Sequence, residues 1–355
     1  MTTGSERPDR SRTAHDGAIL KRLQLRAAVL DAVRAFFCKA DFLEVCTPIL
    51  LNAPGQETHI HPFVTSYHDQ DNGTSTCYLV TSPEHHMKRL LGCGCQRIFQ
   101  INSCFRNGES TAMHLPEFTM VEWYRTQAGY DEVAEDTENL VRSVSERVFG
   151  SMTESPGVPS LIGVTAKWQH LSISQAFETF AGIDPLGYPE NDVACFRRDA
   201  FEKAGVIVTP ADSWEEVFFK LMIERVEPGI ASLPHPVFLR DYPASLAALA
   251  RISPADSRVA ERLELYIGGV ELANGFSELT DGREQRRRFM SQRLQRRRLQ
   301  APVLPLDEAF LRMLSDGRMP MAGGMALGLD RLIAVLSGVD DIHETCAFSM
   351  DQDTI

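Results

Sequence analysis

Apolar and polar positions alternate along this chain in a way that predicts short strands separated by longer helices. Over residues 18–39 the apolar side chains recur every three or four positions, which is typical of an amphipathic helix. Helical spacing returns over 132–148, 173–180 and 214–226. The β-prone runs are shorter and lie at 42–45, 77–81, 97–105, 118–125, 237–239, 262–267 and 270–276.

The order of these elements predicts the fold class. Strands follow one another through turns or across long helical stretches, without the regular βαβα alternation of a doubly wound sheet. We therefore expect an α+β fold with a mainly antiparallel β-sheet flanked by helices. One domain is predicted over 17–355, with a disordered tail at 1–16, a Ser/Pro/Gly-rich linker at 151–165 and a helical insertion at about 150–235.

Composition narrows the class of protein. The 355 residues are 43% hydrophobic and 24% charged, which excludes wholesale disorder and fibrous structure. Neither a membrane-length apolar run nor a secretory signal is visible, so a cytoplasmic location is expected. A net charge of −12 argues against wrapping duplex nucleic acid. The eight cysteines show no metal-ligand spacing and are expected to be reduced.

The segment around Gly268-Gly269 predicts a two-residue β-hairpin. In that hairpin Glu264 and Glu271 share one face as diagonal neighbours, where two carboxylates repel unless a cation lies between them. Mg²⁺ carrying a nucleotide phosphate suits that position. A bulge at Asn274-Gly275 would return Glu278 to the same face. The alternative is a solvated strand edge whose charges face water.

A second segment, residues 105–124, places an arginine at the end of one strand and an aromatic residue on the next. Arg106 suits phosphate oxygens, and Phe118 can stack on a purine. Glu122 and Tyr124 are two residues apart and share a face, so they would form a pocket for an ammonium group. Taken singly, Arg106 also fits a strand cap and Phe118 a core position.

A third segment, residues 323–336, is a glycine-rich turn that opens an apolar helix. Arg331 lies in the first helical turn, where an anionic ligand would also be stabilised by the helix N-terminus. This segment is not a P-loop, and a glycine-rich turn alone is weak evidence.

Together the segments resemble the three signature motifs of class II aminoacyl-tRNA synthetases. Residues 42–48 resemble motif 1, 105–124 motif 2 and 324–332 motif 3. The lysyl branch is the most similar, through Ser-Pro-Glu at 82–84 and the runs at 116–120 and 271–278. The resemblance covers residues 18–350 and leaves no room for an anticodon-binding domain.

This shorter form resembles the elongation factor P–(R)-β-lysine ligases, which are paralogues of lysyl-tRNA synthetase. The resemblance implies an ATP-dependent, AMP-forming enzyme that activates (R)-β-lysine or lysine and transfers it to a lysine ε-amine of elongation factor P. It also implies Mg²⁺ and a homodimer, with neither membrane binding nor anticodon recognition.

The resemblance further implies residue roles. The catalytic residues that it implies are Arg106 and Arg331. The residues implied to bind ATP are Arg106, Asn107, Gly108, Glu109, His114, Leu115, Phe118, Glu271, Leu272, Gly328 and Arg331. Those implied to bind the amino acid are Ser82, Pro83, Glu84, Glu122, Tyr124, Glu278 and Ala326. Glu264 and Glu271 are the implied metal ligands.

Three positions depart from the family pattern, and two other functions stay open. Gly108 and Leu115 stand where the family has glutamate and asparagine, and Cys46 replaces a glutamate of motif 1. One alternative is a truncated lysyl-tRNA synthetase-like enzyme that charges RNA or a small acceptor with lysine. The other is a catalytically inactive regulatory paralogue.

An arginine-rich stretch at 283–298 stands out in an acidic chain. It fits a solvated helix face, or a docking surface for an acidic partner such as elongation factor P.

Overall fold

The computed structural model describes residues 10–71, 73–150 and 167–348; the side chains of residues 10–16, 18 and 149 are not described. The first helix begins at Arg10, so the predicted tail of 1–16 is too long at its end. Residues 1–9 and the predicted linker at 151–165 lie outside the described residues.

Eight strands form the main sheet. In spatial order they are β1 (Leu43–Glu44), β5 (Arg97–Phe105), β6 (Glu117–Thr126), β11 (Ala322–Gly328), β10 (Val270–Ser277), β9 (Val259–Ile267), β8 (Val237–Pro243) and β7 (Gln169–Ser172). Neighbours are antiparallel except at the two edges, where β1 runs parallel to β5 and β7 parallel to β8. The predicted α+β fold with a mainly antiparallel sheet is therefore confirmed. A separate three-stranded sheet contains β2 (Leu50–Leu51), β4 (Gly73–Leu79) and β3 (Val64–Asp69).

Ten α-helices surround the sheets in the described part of the chain. They are α1 (Arg10–Lys39), α2 (Glu84–Leu91), α3 (Tyr130–Phe149), α4 (Ile173–Ala181), α5 (Ala194–Glu202), α6 (Trp214–Leu221), α7 (Glu227–Ala231), α8 (Gly282–Arg298), α9 (Glu308–Ser315) and α10 (Leu329–Ser337). The described part of the predicted insertion begins with β7 and continues through α4–α7.

The largest hydrophobic cluster lies between the sheet and helices α1, α3 and α10. Phe37, Trp123 and Leu332 are fully buried in it. A second cluster packs the insertion against β8, and a third joins α2, α8 and α9 to the ends of β5, β6 and β11. On β6, Val121 and Trp123 enter the largest cluster, so the alternate residues Glu122 and Tyr124 face the other side of the sheet.

Candidate active site

A β-bulge decides which side chains of β10 face the site. The predicted hairpin register is confirmed, since Tyr266 pairs with Glu271 across the Gly268-Gly269 turn. The register then shifts between Glu271 and Ala273, and Asn274 pairs with Glu264. One extra residue reverses the facing of all that follow, so Asn274 lies on the same face as Glu271. The predicted position of the bulge, Asn274-Gly275, was wrong: the extra residue is Leu272, whose apolar side chain is buried in the largest cluster instead.

Glu264 is almost fully occupied by protein donors. Its Oε1 accepts from Arg262 at 2.6 Å and from Asn274 at 3.3 Å. Its Oε2 accepts from the hydroxyls of Tyr266, at 2.9 Å, and Tyr242. Four donors use the approximately four lone-pair sites of a carboxylate. As arranged here, Glu264 has little capacity left for direct metal ligation.

Glu271 is different, because its carboxylate is free to accept a ligand. Its side chain is 40% exposed, and its nearest cation is Arg331, whose Nη1 lies 3.6 Å from Oε2. The surrounding protein removes water from this carboxyl in spite of its open side, and that effect, with the charge of Glu264, raises the pKa of Glu271 to about 7, although Arg331, Arg262 and Arg106 lower it. A carboxyl with a pKa near 7 is only partly ionised at neutral pH. A bound cation fits such a group, because it would return the carboxyl to the ionised form.

Arg331 is held in place at the start of α10. Its Nη1 donates to the backbone oxygen of Glu271 at 2.7 Å, and its Nε donates to that of Met113 at 3.1 Å. Its Nη2 donates to Nε2 of His114 at 2.7 Å, while the other ring nitrogen of His114 lies 2.8 Å from Thr111 Oγ1. Burial and the charge of Arg331 lower the pKa of His114, which favours the neutral ring that accepts from the arginine. The loop before β6 and helix α10 are joined through these contacts.

The neighbouring Asp330 ties the same helix to α1 and β6. It is 2% exposed, accepts from the backbone N–H of Thr119 at 2.6 Å, and pairs with Arg26. Arg26 also donates to Thr119 Oγ1. The motif 3 helix is therefore anchored to the helix that precedes motif 1.

Arg106 and Phe118 form the other side of the nucleotide site. The guanidinium of Arg106 lies 5.0 Å from the centre of the Phe118 ring, and its Nη1 is 3.7 Å from Glu109 Oε2. Gly108 adopts φ +88°, a left-handed conformation that glycine takes without strain. The turn at Gly108 thus returns Glu109 to Arg106, one position later than in the family pattern. The buried Nε of Arg106 has no partner in the described part of the chain, which suits a phosphate ligand.

The remaining residues predicted to bind ATP could contact a nucleotide mainly through their backbones. Leu115 is 6% exposed and Leu272 2%, so neither side chain is open to a ligand and only their backbones remain. The backbone N–H of Asn107 donates to His61 at 2.7 Å. Gly328 pairs with Met120 and begins the turn into α10.

A buried acidic pocket lies further along β6. Glu122 is 1% exposed and accepts from Tyr124 at 2.5 Å and from Ser82 at 2.8 Å. Burial and the charge of Glu84 raise the pKa of Glu122 to about 8, against the lowering effect of its hydrogen bonds. Pro83 precedes α2, and the hydroxyl of Ser82 also accepts from the backbone N–H of Glu84 at 3.1 Å.

Two positions on β11, Gly324 and Ala326, shape the wall of this pocket. An added Cβ at Gly324 would collide with the Tyr124 ring and with Glu278 Oε1. Ala326 pairs with Glu122 on one side and Asn274 on the other, so its methyl lies between the acidic pocket and the hairpin. The structure thus brings Glu84, Glu122, Tyr124, Glu278 and Ala326 together.

Sequence reasoning missed several residues of this site. Lys88 on α2 is 1% exposed and pairs with Glu84 Oε1 at 2.5 Å and with Glu278. Arg262, Tyr242 and Asn274, which contact Glu264, were also not identified. Alternation of Arg262 and Glu264 along β9 was a usable signal for the arginine, whereas nothing local indicated the contacts of Tyr242 or Asn274.

Two features are absent from the described residues. No helix there is long and apolar enough to span a bilayer, and no group of three or more His, Cys, Asp or Glu side chains is arranged to hold a metal ion. The latter is compatible with Mg²⁺, which one or two carboxylates bind together with substrate phosphates.

Comparison with known proteins places the chain in a family. Residues 9–352 match the family model described as tRNA synthetases class II (D, K and N). The elongation factor P–(R)-β-lysine ligase of Erwinia tasmaniensis is 37% identical over 338 residues, covering 94% of this chain and 97% of the relative. Those of Haemophilus influenzae and Klebsiella pneumoniae are each 36% identical, covering 94% and 96% of this chain and 96% and 98% of the relatives. The chain is therefore an ATP-dependent ligase of the class II tRNA synthetase family, in the branch of the elongation factor P–(R)-β-lysine ligases.

Proposed function

We propose that this enzyme uses ATP to convert (R)-β-lysine into an aminoacyl adenylate and then transfers the β-lysyl group to a lysine ε-amine of elongation factor P. The observation that carries the proposal is the placement of two sites on one face of one sheet. Arg106 lies over the Phe118 ring, Arg331 lies beside Glu271, and the acidic pocket begins at Glu122. Phe118 and Glu122 are four positions apart on β6, or roughly 13 Å along the strand.

Activation needs no general base. The substrate carboxylate, ionised at neutral pH, attacks the α-phosphorus of ATP, and pyrophosphate leaves as the P–O bond to the β-phosphate breaks. Arg106 stabilises charge that develops on the α-phosphate, and Arg331 holds the opposite side of the nucleotide. The acidic pocket orients the amino acid by its ammonium groups, which makes the attack effectively unimolecular. Mg²⁺, held by Glu271 and phosphate oxygens, would neutralise phosphate charge when bound.

Transfer follows by amine attack. The acceptor ε-amine in its neutral form adds to the adenylate carbonyl carbon, the bond to the phosphate oxygen breaks, and AMP leaves. An amide forms, and the amine releases one proton.

The test is the intact mass of elongation factor P after incubation with this protein, ATP and one amino acid at a time. The expected result is the gain of one lysyl-sized group with (R)-β-lysine, with slower modification by lysine. Transfer to RNA or a small acceptor alone would favour the truncated synthetase alternative. Absence of both activation and transfer would favour the inactive paralogue.

We also propose a homodimer formed through the N-terminal elements. Seven large apolar side chains on or beside α1, β1, β2 and β3 are 44–64% exposed, and they are Leu20, Leu23, Leu43, Ile49, Leu50, Val64 and Tyr67. Water contact at these positions is unfavourable, so a second copy is the natural cover. Sedimentation at micromolar concentration should give twice the chain mass, and Leu43→Glu should lower it towards the monomer.

A further inference from the structure

The acidic pocket contains a cation of its own, Lys88, to which neither the resemblance nor the comparisons assign a role. Lys88 extends from α2 and its side chain is 1% exposed. Its Nζ lies 2.5 Å from Glu84 Oε1 and pairs with Glu278, whose side chain is fully buried. Glu84 precedes it by one helical turn, but Glu278 comes from the end of β10, so Lys88 joins two distant parts of the chain.

The surroundings keep Lys88 charged. Burial lowers its pKa, but the two carboxylates outweigh that effect and raise the pKa well above its ordinary value. The rings of Tyr124 and Phe276 lie 5.9 Å and 6.0 Å from Nζ and add a smaller favourable interaction. A lysine held in this way does not act as a proton acceptor near neutral pH. Its contribution is a fixed positive charge.

The net charge of the pocket depends on Lys88. Glu84, Glu122 and Glu278 supply three carboxylates, and Lys88 supplies one ammonium. Burial raises the pKa of Glu122 and that of Glu278 to about 8, although Lys88 lowers both. Once bound cations favour the ionised forms and all four groups are charged, the pocket has two uncompensated negative charges. A diamino acid brings two ammonium groups, so the filled pocket is neutral, whereas a monoamino acid would leave a buried negative charge.

We propose that Lys88 is a positioning residue that pairs with Glu84 and Glu278, holds both carboxyl groups in place, and so matches the pocket to a substrate with two ammonium groups. This role rests on the proposed function. Without Lys88, both carboxyl groups would lose their nearest cation, and the pKa of Glu278 would rise further, because Lys88 is the group that lowers it. A diamino acid would then have to displace the proton of Glu278 to bind, and its affinity would fall most at lower pH.

The test compares Lys88→Met, Lys88→Arg and Lys203→Met with the unaltered enzyme. Lys203 is a matched control, because it also pairs with a carboxylate one helical turn earlier, Asp199 at 2.9 Å, but is 53% exposed and lies in the insertion. The measurements are ATP–pyrophosphate exchange from pH 6.5 to 9, and calorimetric binding of (R)-β-lysine.

For Lys88→Met we expect the KM for (R)-β-lysine to rise about tenfold or more at pH 7, since one unit of carboxyl pKa changes the ionised fraction tenfold. The KM for ATP should stay within about twofold, and the loss should shrink as the pH rises to 9. Lys88→Arg should retain most of the affinity, and Lys203→Met should match the unaltered enzyme.

Other results would overturn this role. An unchanged KM for (R)-β-lysine in Lys88→Met, or equal losses for ATP and amino acid at every pH, would show that Lys88 only supports the fold. If Lys88→Met does not fold, Lys88→Arg decides: loss of diamino-acid binding in a folded Lys88→Arg would contradict a role that needs only positive charge, and retained binding would support it. An unaltered enzyme that neither binds nor activates any diamino acid would overturn the proposed function itself, a result distinct from failure of the Lys88 variants alone.

Discussion

Glu264 and Glu271 come from one hairpin, yet their surroundings give them different tasks. Glu264 is 6% exposed and accepts from four protein donors, among them Arg262, whose side chain is 17% exposed. Glu271 is open on one side and has a raised pKa. Mg²⁺ is often held by one or two carboxylates and by phosphate oxygens, so Glu271 with the nucleotide is a sufficient protein contribution. The assignment of both glutamates as metal ligands stays a prediction. The four donors around Glu264 argue against direct ligation by that residue.

Magnesium dependence separates the two glutamates. Glu271→Gln should raise the Mg²⁺ concentration needed for half-maximal pyrophosphate exchange by about tenfold or more, because a neutral amide is a weaker ligand than a carboxylate. Glu264→Gln should instead lower the free energy of unfolding by about 3 kcal/mol, because the largely buried ion pair of Arg262 and Glu264 loses its carboxylate. Titration with Mg²⁺ and thermal unfolding of both variants test this. Equal Mg²⁺ shifts with unchanged stability would show that Glu264 is a direct ligand.

The raised pKa of Glu122 predicts opposite effects of pH on binding and on stability. The folded protein holds a proton on this carboxyl that the unfolded chain releases near pH 4.5, so this contribution to stability falls as the pH rises from 4.5 to about 8. An ammonium substrate binds the ionised carboxylate, so kcat/KM for the diamino acid should rise over pH 6.5–8. Among the facing groups, the pKa values of Lys88 and Tyr124 are raised and lie above this window, and Glu278, whose pKa burial raises to about 8, titrates together with Glu122. A kcat/KM that is flat or falls over this range would contradict the assignment.

The methyl group of Ala326 should affect the choice between substrates. It lies between Glu122 and Asn274 on the face that also carries the nucleotide site. Ala326→Gly removes one methyl from the pocket wall, so the preference for (R)-β-lysine over lysine should fall by about tenfold or more. Exchange rates with each amino acid at subsaturating concentration give that ratio directly. An unchanged ratio would place the choice of substrate elsewhere in the pocket.

At the scale of elements, helix α8 divides its arginines between structure and surface. Arg296 is 1% exposed and donates to the backbone oxygen of Glu57 at 2.8 Å. Arg288 donates to Ala248 at 2.9 Å and Ala250 at 2.7 Å. Arg297 and Arg298 are exposed, and no ion pair within the described residues involves them. The predicted basic docking surface is therefore smaller than the count of arginines indicated.

Arg297 and Arg298, exposed at the end of α8, can meet an acidic acceptor. Arg297→Glu together with Arg298→Glu should slow modification of elongation factor P by about tenfold, because complementary charge increases the association rate. Pyrophosphate exchange should not change, since neither residue contacts the active site. Arg198→Glu in α5, which is also exposed, is the control. Equal loss of both reactions, or of neither, would contradict docking at this surface.

Elements were predictable where periodicity or turn chemistry was strong. The strand at 97–105 agrees with β5 at both ends, and the hairpin register followed from Gly268-Gly269. Helices α2 and α9 were not predicted, since each has only eight residues and offers too few turns for a period. The bulge at Leu272 was misplaced because its cause is burial of one leucine in a core formed by distant segments. Lys88 was missed for the same reason, as its partner Glu278 lies 190 residues away.

At the scale of the whole molecule, the sheet separates a packing face from a chemical face. Helices α1, α3 and α10 cover one side, and the nucleotide and amine sites share the other. Asp330, Arg26 and Thr119 connect the apolar N-terminal elements to the helix that carries Arg331. Assembly through those elements would thus act on the helix that positions the nucleotide. The acidic balance of the chain, with 48 Asp and Glu against 36 Lys and Arg, fits a cationic amino acid better than nucleic acid.

The most direct test of the central claim is ATP–pyrophosphate exchange driven by (R)-β-lysine, measured for the unaltered enzyme and for Arg106→Ala and Arg331→Ala. We expect exchange in the unaltered enzyme and a loss of about a hundredfold or more in each variant, because both arginines stabilise charge on the same nucleotide. Exchange that survives undiminished in either variant, or that no diamino acid supports in the unaltered enzyme, would contradict the account.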